Sequence, residues 1–181
     1  MKSKRQSKGK TIRPTFFVFC EGESEEAYVK YLRSKYRLPI EVCPSVVGLG
    51  INMESLRRFK KTKTSHPKDN DYLMYDLDRD DVLKRLQSIK GAKIIASNPC
   101  LEFWYLLHCM DQKAPISSAD CLSALNKHIP KYKKGSVCAD LQSILSTRQA
   151  LAIERAEALK QWSNPSSDMP LLISDLESIS K

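Results

Sequence analysis

Four short apolar runs alternate with helical segments through the first hundred residues, and that alternation restricts the fold more than any other feature. "TFFVFC" at 15–20 is a continuous apolar run of the kind buried on both faces of a sheet. "SEEAYVKYLRSKY" follows with Tyr28, Tyr31 and Leu32 at helical spacing and Ser24 as the expected N-cap. "IEVCPSVVG" reads as a second strand, broken or bulged at Pro44, and "INMESLRRFKK" as a second helix. "DYLMYDLD" is a third strand, "RDDVLKRLQSIKG" a helix closed by Gly91, and "AKIIASN" a fourth strand. Strands and helices in this order imply crossover connections and a mainly parallel α/β sheet flanked by helices.

The second half changes character. "NPCLEFWYLLHCM" is nearly all apolar and reads as a buried helix, with Ser97 or Asn98 as cap and Pro99 at its first position. No strand is expected beyond it. "SADCLSALNKHI", "VCADLQSIL", "TRQALAIERAEALKQW" and "MPLLISDLESIS" read as helices, the third with Ala152, Ala156 and Leu159 on one stripe and Ile153 beside it. The expected organisation is a basic arm at 1–13, an α/β core at 14–110 and a helical extension at 111–181 packed on that core.

Charge is unevenly placed. Residues 1–13 hold six Lys or Arg and no acid, whereas the remainder holds 24 basic and 21 acidic residues. Such an arm can track a phosphate backbone by releasing counterions, or merely be solvated. "LRRFKKTKTSHPK" at 56–68 carries a second basic group, with Arg57, Arg58, Lys60 and Lys61 as candidate nucleic-acid contacts; Lys133 and Lys134 join them. No run approaches the roughly 18 apolar residues needed to cross a bilayer. The basic N-terminal stretch lacks the apolar segment of a secretory signal. The six cysteines lack metal-type spacing and sit in apolar settings, as reduced thiols do, so a cytoplasmic location without membrane contact is expected.

In a parallel sheet the strands' carboxyl ends line one edge, and ligands bind in the crevice there. Glu21 ends the first strand; Asp76 and Asp78 end the third, two residues apart and so expected on one face. Three carboxylates within about 4 Å of one another repel by roughly 4 kcal/mol per pair at an effective dielectric of 20, which calls for protons or a cation. Oxygen donors without clustered His or Cys suit Mg²⁺ or Mn²⁺ rather than zinc. Glu25, Glu26, Asp80 and Asp81 fall in first turns of helices, where the dipole alone accounts for them; Asp80 is also a candidate ligand, Glu25 a supporting residue, and Glu23 stays undecided. Glu102 is the only charge in an apolar turn and a half, so it needs a partner, a metal or water. His108 suits a helix-end role, His66 and His128 the surface. Neither a Ser-His-Asp nor a Cys-His pattern is present, which sets covalent acyl chemistry aside.

Three segments together, "VFCEGESEEAYVKYL", "YDLDRDD" and "IIASNPCLEFWYLLH", resemble the RloB-like (AbiL second component) family of bacterial phage-defence proteins. "YKKG" at 132–135, "RQALAIERAEAL" and "NPSSDMPLLISDL" are similar to its closing pattern, and the resemblance spans roughly residues 15–177. Ser167 stands where Thr is expected, and Leu101 where Phe is usual. The resemblance implies a TOPRIM-like fold, with Glu21 and Gly22 matching its Glu-Gly and Asp76 and Asp78 its Asp-x-Asp. It implies Mg²⁺-dependent phosphodiester cleavage in DNA or RNA. Asp76 and Asp78 would hold the metal, Glu21 would be ligand or general acid/base, and Gly22 would allow a tight turn and close backbone approach. Asn98 and Glu102 would support the site, and an ATPase partner is expected. The alternative is a non-catalytic module of that fold docked on the ATPase; either form is compatible with a homo-oligomer. A primase- or topoisomerase-like transferase would need a nucleotide site or tyrosine domain for which this chain has no room.

Overall fold

The structure is a computed structural model that describes residues 14–43 and 50–180; the basic arm and Pro44 lie outside the described residues. Strands β1 (Phe16–Cys20), β2 (Ile40–Cys43), β3 (Asn70–Asp76), β4 (Ala92–Asn98) and β5 (Ser166–Ser167) form one sheet in the order β2-β1-β3-β4-β5. The first four run parallel, and β5 is antiparallel to β4. Helices α1 (Glu23–Tyr36), α2 (Met53–Lys60) and α3 (Asp80–Ser88) connect the parallel strands. Helix α4 (Leu101–Leu107) leaves β4, and α5 (Ser118–His128), α6 (Ala139–Thr147), α7 (Gln149–Glu157) and α8 (Met169–Ser180) complete the chain.

Both faces of the sheet are buried, which is why the strands read as unbroken apolar runs. Phe16, Val18, Cys20, Tyr72 and Met74 point to one face, against α1, α4 and the C-terminal helices. Phe17, Phe19, Leu73 and Tyr75 point to the other, against Leu56 of α2 and Val82 and Leu86 of α3. Helix α4 has all seven residues buried and forms the centre of the larger core. There Trp104 donates its indole N–H to the Tyr28 hydroxyl at 2.7 Å, tying α4 to α1.

Several local expectations are corrected. Gly22, not Ser24, is the N-cap of α1, because Glu25 reaches back to accept the Gly22 backbone N–H at 2.9 Å. Ser97 and Asn98 belong to β4 and Cys100 caps α4, so Pro99 precedes that helix rather than opening it. Helix α3 stops at Ser88, and Gly91, at φ +83°, instead makes the turn into β4. A strand does occur in the second half: Ser167 and Ser166 pair with Ser97 and Asn98. Two residues carry too little pattern to be read, and only their partner β4 makes them a strand.

Replacing Tyr28 by Phe removes the acceptor of a buried indole N–H at the cost of about 1–3 kcal/mol. Thermal unfolding of Tyr28→Phe should fall by roughly 3–10 °C for a chain of this size. A shift under about 1 °C would show that the pair contributes nothing.

Candidate functional site

In this strand order the chain leaves β1 for β2 on one side and returns to β3 on the other. A topological switch point therefore lies between the carboxyl ends of β1 and β3, where α/β sheets place their ligand crevice. Glu21 follows β1, its own N–H bonded to the Met74 carbonyl at 3.1 Å. Its carboxylate crosses to β3 and accepts the Asp76 backbone N–H at 2.8 Å. The residues from the two sequence segments thus meet through a hydrogen bond.

Three further carboxylates join them. A cavity of ≈ 330 Å³ is lined by Glu21, Glu23, Glu25, Asp76 and Glu102, with Gly22 and Lys134 at its wall. Glu25 and Glu102 sit at the starts of α1 and α4, and both are buried, Glu102 at 1% exposure. Glu102 accepts the Tyr132 hydroxyl at 2.8 Å and faces the Lys134 ammonium at 3.9 Å. The "YKKG" loop is held over the cavity by a bond from Gly135 N–H to Ser24 Oγ at 3.1 Å. Gly135 adopts φ +75°, a conformation that favours glycine, and a Cβ there would stand 3.3 Å from a Glu23 carboxylate oxygen. Gly22 is different. Its φ of −144° suits any residue, but a Cβ would meet the Glu25 carboxylate at 3.1 Å. Its role is close approach, not a tight turn.

Crowding shows in the acidities. Burial, then the charge of Glu25, the Cys100 thiol and the charges of Glu21 and Glu102, hold Asp76 well above the usual carboxylate range. Burial first, with Glu21 and Glu102 adding to it against backbone N–H donors, pushes Glu25 up to about 7. Burial also raises Glu21, opposed by the Asp76 N–H and supported by the nearby Asp78 charge. Burial disfavours the Lys134 charge, but Glu102, Asp76 and Glu25 outweigh it and raise that ammonium. One oxygen of Glu21, of Glu25 and of Glu102 is fixed by a protein donor. No donor among the described residues reaches the Asp76 carboxylate.

The remaining described candidates lie outside the cavity lining, Asp78 beside it and the others farther off. Strand β3 ends at Asp76, so Asp78 is two residues past it, exposed, and not among the cavity's lining residues. It faces Glu21 electrostatically rather than sharing a strand face with Asp76. The Asp80 side chain lies outside what the structure describes. Asn98 donates to the Trp162 carbonyl at 3.4 Å, near β5 and outside the cavity lining. Arg57, Lys60 and Lys61 line a separate groove at the amino ends of the strands, with exposed Arg58 paired to Glu54 on the same helix. Lys133 and Lys134 are both exposed, and the Lys134 ammonium lies at the cavity rim 3.9 Å from Glu102. Tyr132, Ser24 and Gly135 were missed as site residues; their signal was the "YKKG" segment, which gives no hint by itself of docking on α1.

His108 is a buried helix cap whose Nδ1 bonds the Trp104 carbonyl at 2.9 Å, and burial lowers it to about 4. All six cysteines are free thiols. Among the described residues no helix is long and apolar enough to cross a membrane.

Because Glu25 is raised from 4.5 to about 7, its neutral form stabilises the fold fully below about pH 4.5, and that contribution is lost as pH rises toward 7. Glu25→Gln keeps an acceptor for Gly22 N–H without the charge. In metal-free buffer it should unfold roughly 3–8 °C higher than the parent at about pH 8, with the difference vanishing near pH 4. An equal shift at both pH values would refute the electrostatic origin.

A family model described as RloB-like protein matches residues 16–176. The match begins at the first residue of β1 and ends within α8, so it includes all five strands and every wall of the acidic cavity. No curated protein and no solved structure is found to match the chain. With the family model covering the sheet, the site and the helices that close it, the chain belongs to the RloB-like family.

Proposed function

We propose that this RloB-like chain is the effector of a bacterial phage-defence system, a Mg²⁺- or Mn²⁺-dependent nuclease that works with an ATPase partner. The observation that carries the reading is the convergence of Glu21, Asp76, Glu25 and Glu102 on one cavity at the switch point of the sheet. Five carboxylates around one lysine leave an excess of negative charge, which adds to burial in holding the pKa of Asp76 and Glu25 above the usual carboxylate range. The donor set is all oxygen, which fits a hard divalent cation. Asp76 and Glu21 are the residues to hold it, with Glu102 and Glu25 behind them; the resemblance to the TOPRIM pattern would pair Asp76 with Asp78, which stands beside Glu21. A cation so held supplies polarisation of a phosphoryl oxygen.

The chain's own groups have definite tasks. The Asp76 N–H fixes the orientation of Glu21, and Tyr132 fixes that of Glu102, as outer partners orient metal-binding carboxylates. Glu25, at about 7, is in the range where a carboxyl group exchanges a proton at neutral pH. Lys134 brings a positive charge to the rim, where a phosphate oxygen would lie.

A second reading, a non-catalytic module docked on the ATPase, is favoured by one observation. Among the described residues no three His, Cys, Asp or Glu side chains are placed to hold a metal ion, and Lys134 already faces the acids.

Labelled single- and double-stranded DNA and RNA should be cut by the full chain with its ATPase partner in Mg²⁺ or Mn²⁺ and not in EDTA. Asp76→Ala and Glu21→Ala should lose about 100-fold or more of that rate. Equal cutting by both folded variants would refute the site, and a stable ATPase complex with no cleavage of any substrate would establish the docking module. Independently, Mn²⁺ at about 100 times its Kd should stabilise the parent by about 2.7 kcal/mol, and Asp76→Ala should abolish that shift.

A further inference from the structure

The amino edge of the sheet carries a second, oppositely charged concavity. A groove of ≈ 350 Å³ lies where β1, β3 and β4 begin, floored by Phe17 and Leu56 and rimmed by Arg57, Lys60, Lys61 and Lys90. It also contains two acids, and both are engaged. Asp71 binds Lys60 through both oxygens at 2.7 and 2.9 Å, and that ammonium also covers the Phe17 ring at 4.9 Å. Asp69 accepts Thr15 N–H at 2.7 Å and His66 N–H at 2.8 Å, fixing the loop after α2 and the start of the described chain. Arg57, Lys61 and Lys90 are exposed and have no carboxylate partner among the described residues.

Placement in the last turn of α2 suits the helix dipole and accounts for Arg57. It does not account for Lys90, which comes from the turn before β4 and converges on the same groove. Thr15, just before β1, is anchored at this edge by its N–H bond to Asp69. Nearby Lys63 and Lys68 extend the basic side, Lys63 being paired with Glu41 at 2.9 Å. The concentration of cations from two parts of the sequence, the end of α2 and the turn before β4, suits a ligand of high, repeated negative charge.

We propose that this groove is a second nucleic-acid-binding surface that grips the phosphate backbone away from the acidic cavity, with Arg57, Lys61 and Lys90 as its cations. The role of the bound strand as substrate rests on the nuclease reading above; the binding itself does not. The strands between the two edges have five and seven residues, which sets the edges about 17–23 Å apart at about 3.3 Å per residue.

Binding of fluorescent single strands of about 20 nucleotides, DNA and RNA separately, is measured by anisotropy on the full chain in EDTA. The triple variant Arg57→Ala, Lys61→Ala, Lys90→Ala should bind about 10-fold or more weakly. Its slope of log affinity against log salt, between about 50 and 200 mM, should be shallower by about 2, since each lost phosphate contact removes about 0.7. Asp76→Ala should retain the parental slope. An unchanged slope and affinity in the triple variant would overturn the proposal, as would a parent that binds neither strand. Displacement by poly-glutamate at matched charge would also overturn it, marking the groove as a seat for an acidic protein. Loss of binding in the triple variant alongside a parent that cuts nothing would sustain the groove and refute the nuclease reading.

Discussion

The parallel pairing of β1 with β3 is the constraint on which the site depends. Phe16 to Cys20 lie level with Asn70 to Met74, so Glu21 emerges beside the last residues of β3 and bonds the Asp76 N–H. Residues 55 positions apart in the chain are held together by a backbone register rather than by side-chain attraction. That matters because the side chains repel. Two carboxylates placed together by flexible loops would separate, whereas strands locked in a sheet with both faces buried cannot.

Electrostatic strain and closure are linked at the other end of the site. Glu102 is carried on a helix with every residue buried and is itself almost fully buried. Its partners Tyr132 and Lys134 come from the loop between α5 and α6, which Gly135 and Ser24 anchor to the start of α1. The C-terminal helices therefore do more than fill the core: they deliver the hydroxyl and ammonium that make a buried carboxylate tolerable. The "YKKG" loop is in consequence part of the acidic site and not a remote basic patch.

The molecule is electrically polarised along its strands. Carboxylates gather where the parallel strands end, and unpaired cations gather where they begin. Lys60 illustrates how position decides meaning: in sequence it is one of a run of cations, but in the fold Asp71 neutralises it and Phe17 lies beneath it. Arg57 and Lys61, either side of it, remain open.

Local pattern by itself determined the α/β class, the four parallel strands and the choice of Glu21 and Asp76, because apolar periodicity and strand-end position are properties of short segments. It also marked Glu102 as a charge in need of a partner. Tertiary structure decided the rest. Asp78 was read as a strand residue, but pairing along β3 stops at Asp76 and leaves it exposed. Glu25 could be explained by the helix dipole or as a supporting residue of the site, and the fold buries it beside Glu21 and Glu102. Strand β5, the Ser24 contact and the approach of Lys134 to Glu102 are long-range pairings whose partners lie some 30 to 110 residues away, and short segments carry no record of them. Burial and the approach of distant backbone set the chemistry of these groups, and both exist only once the chain has closed on itself.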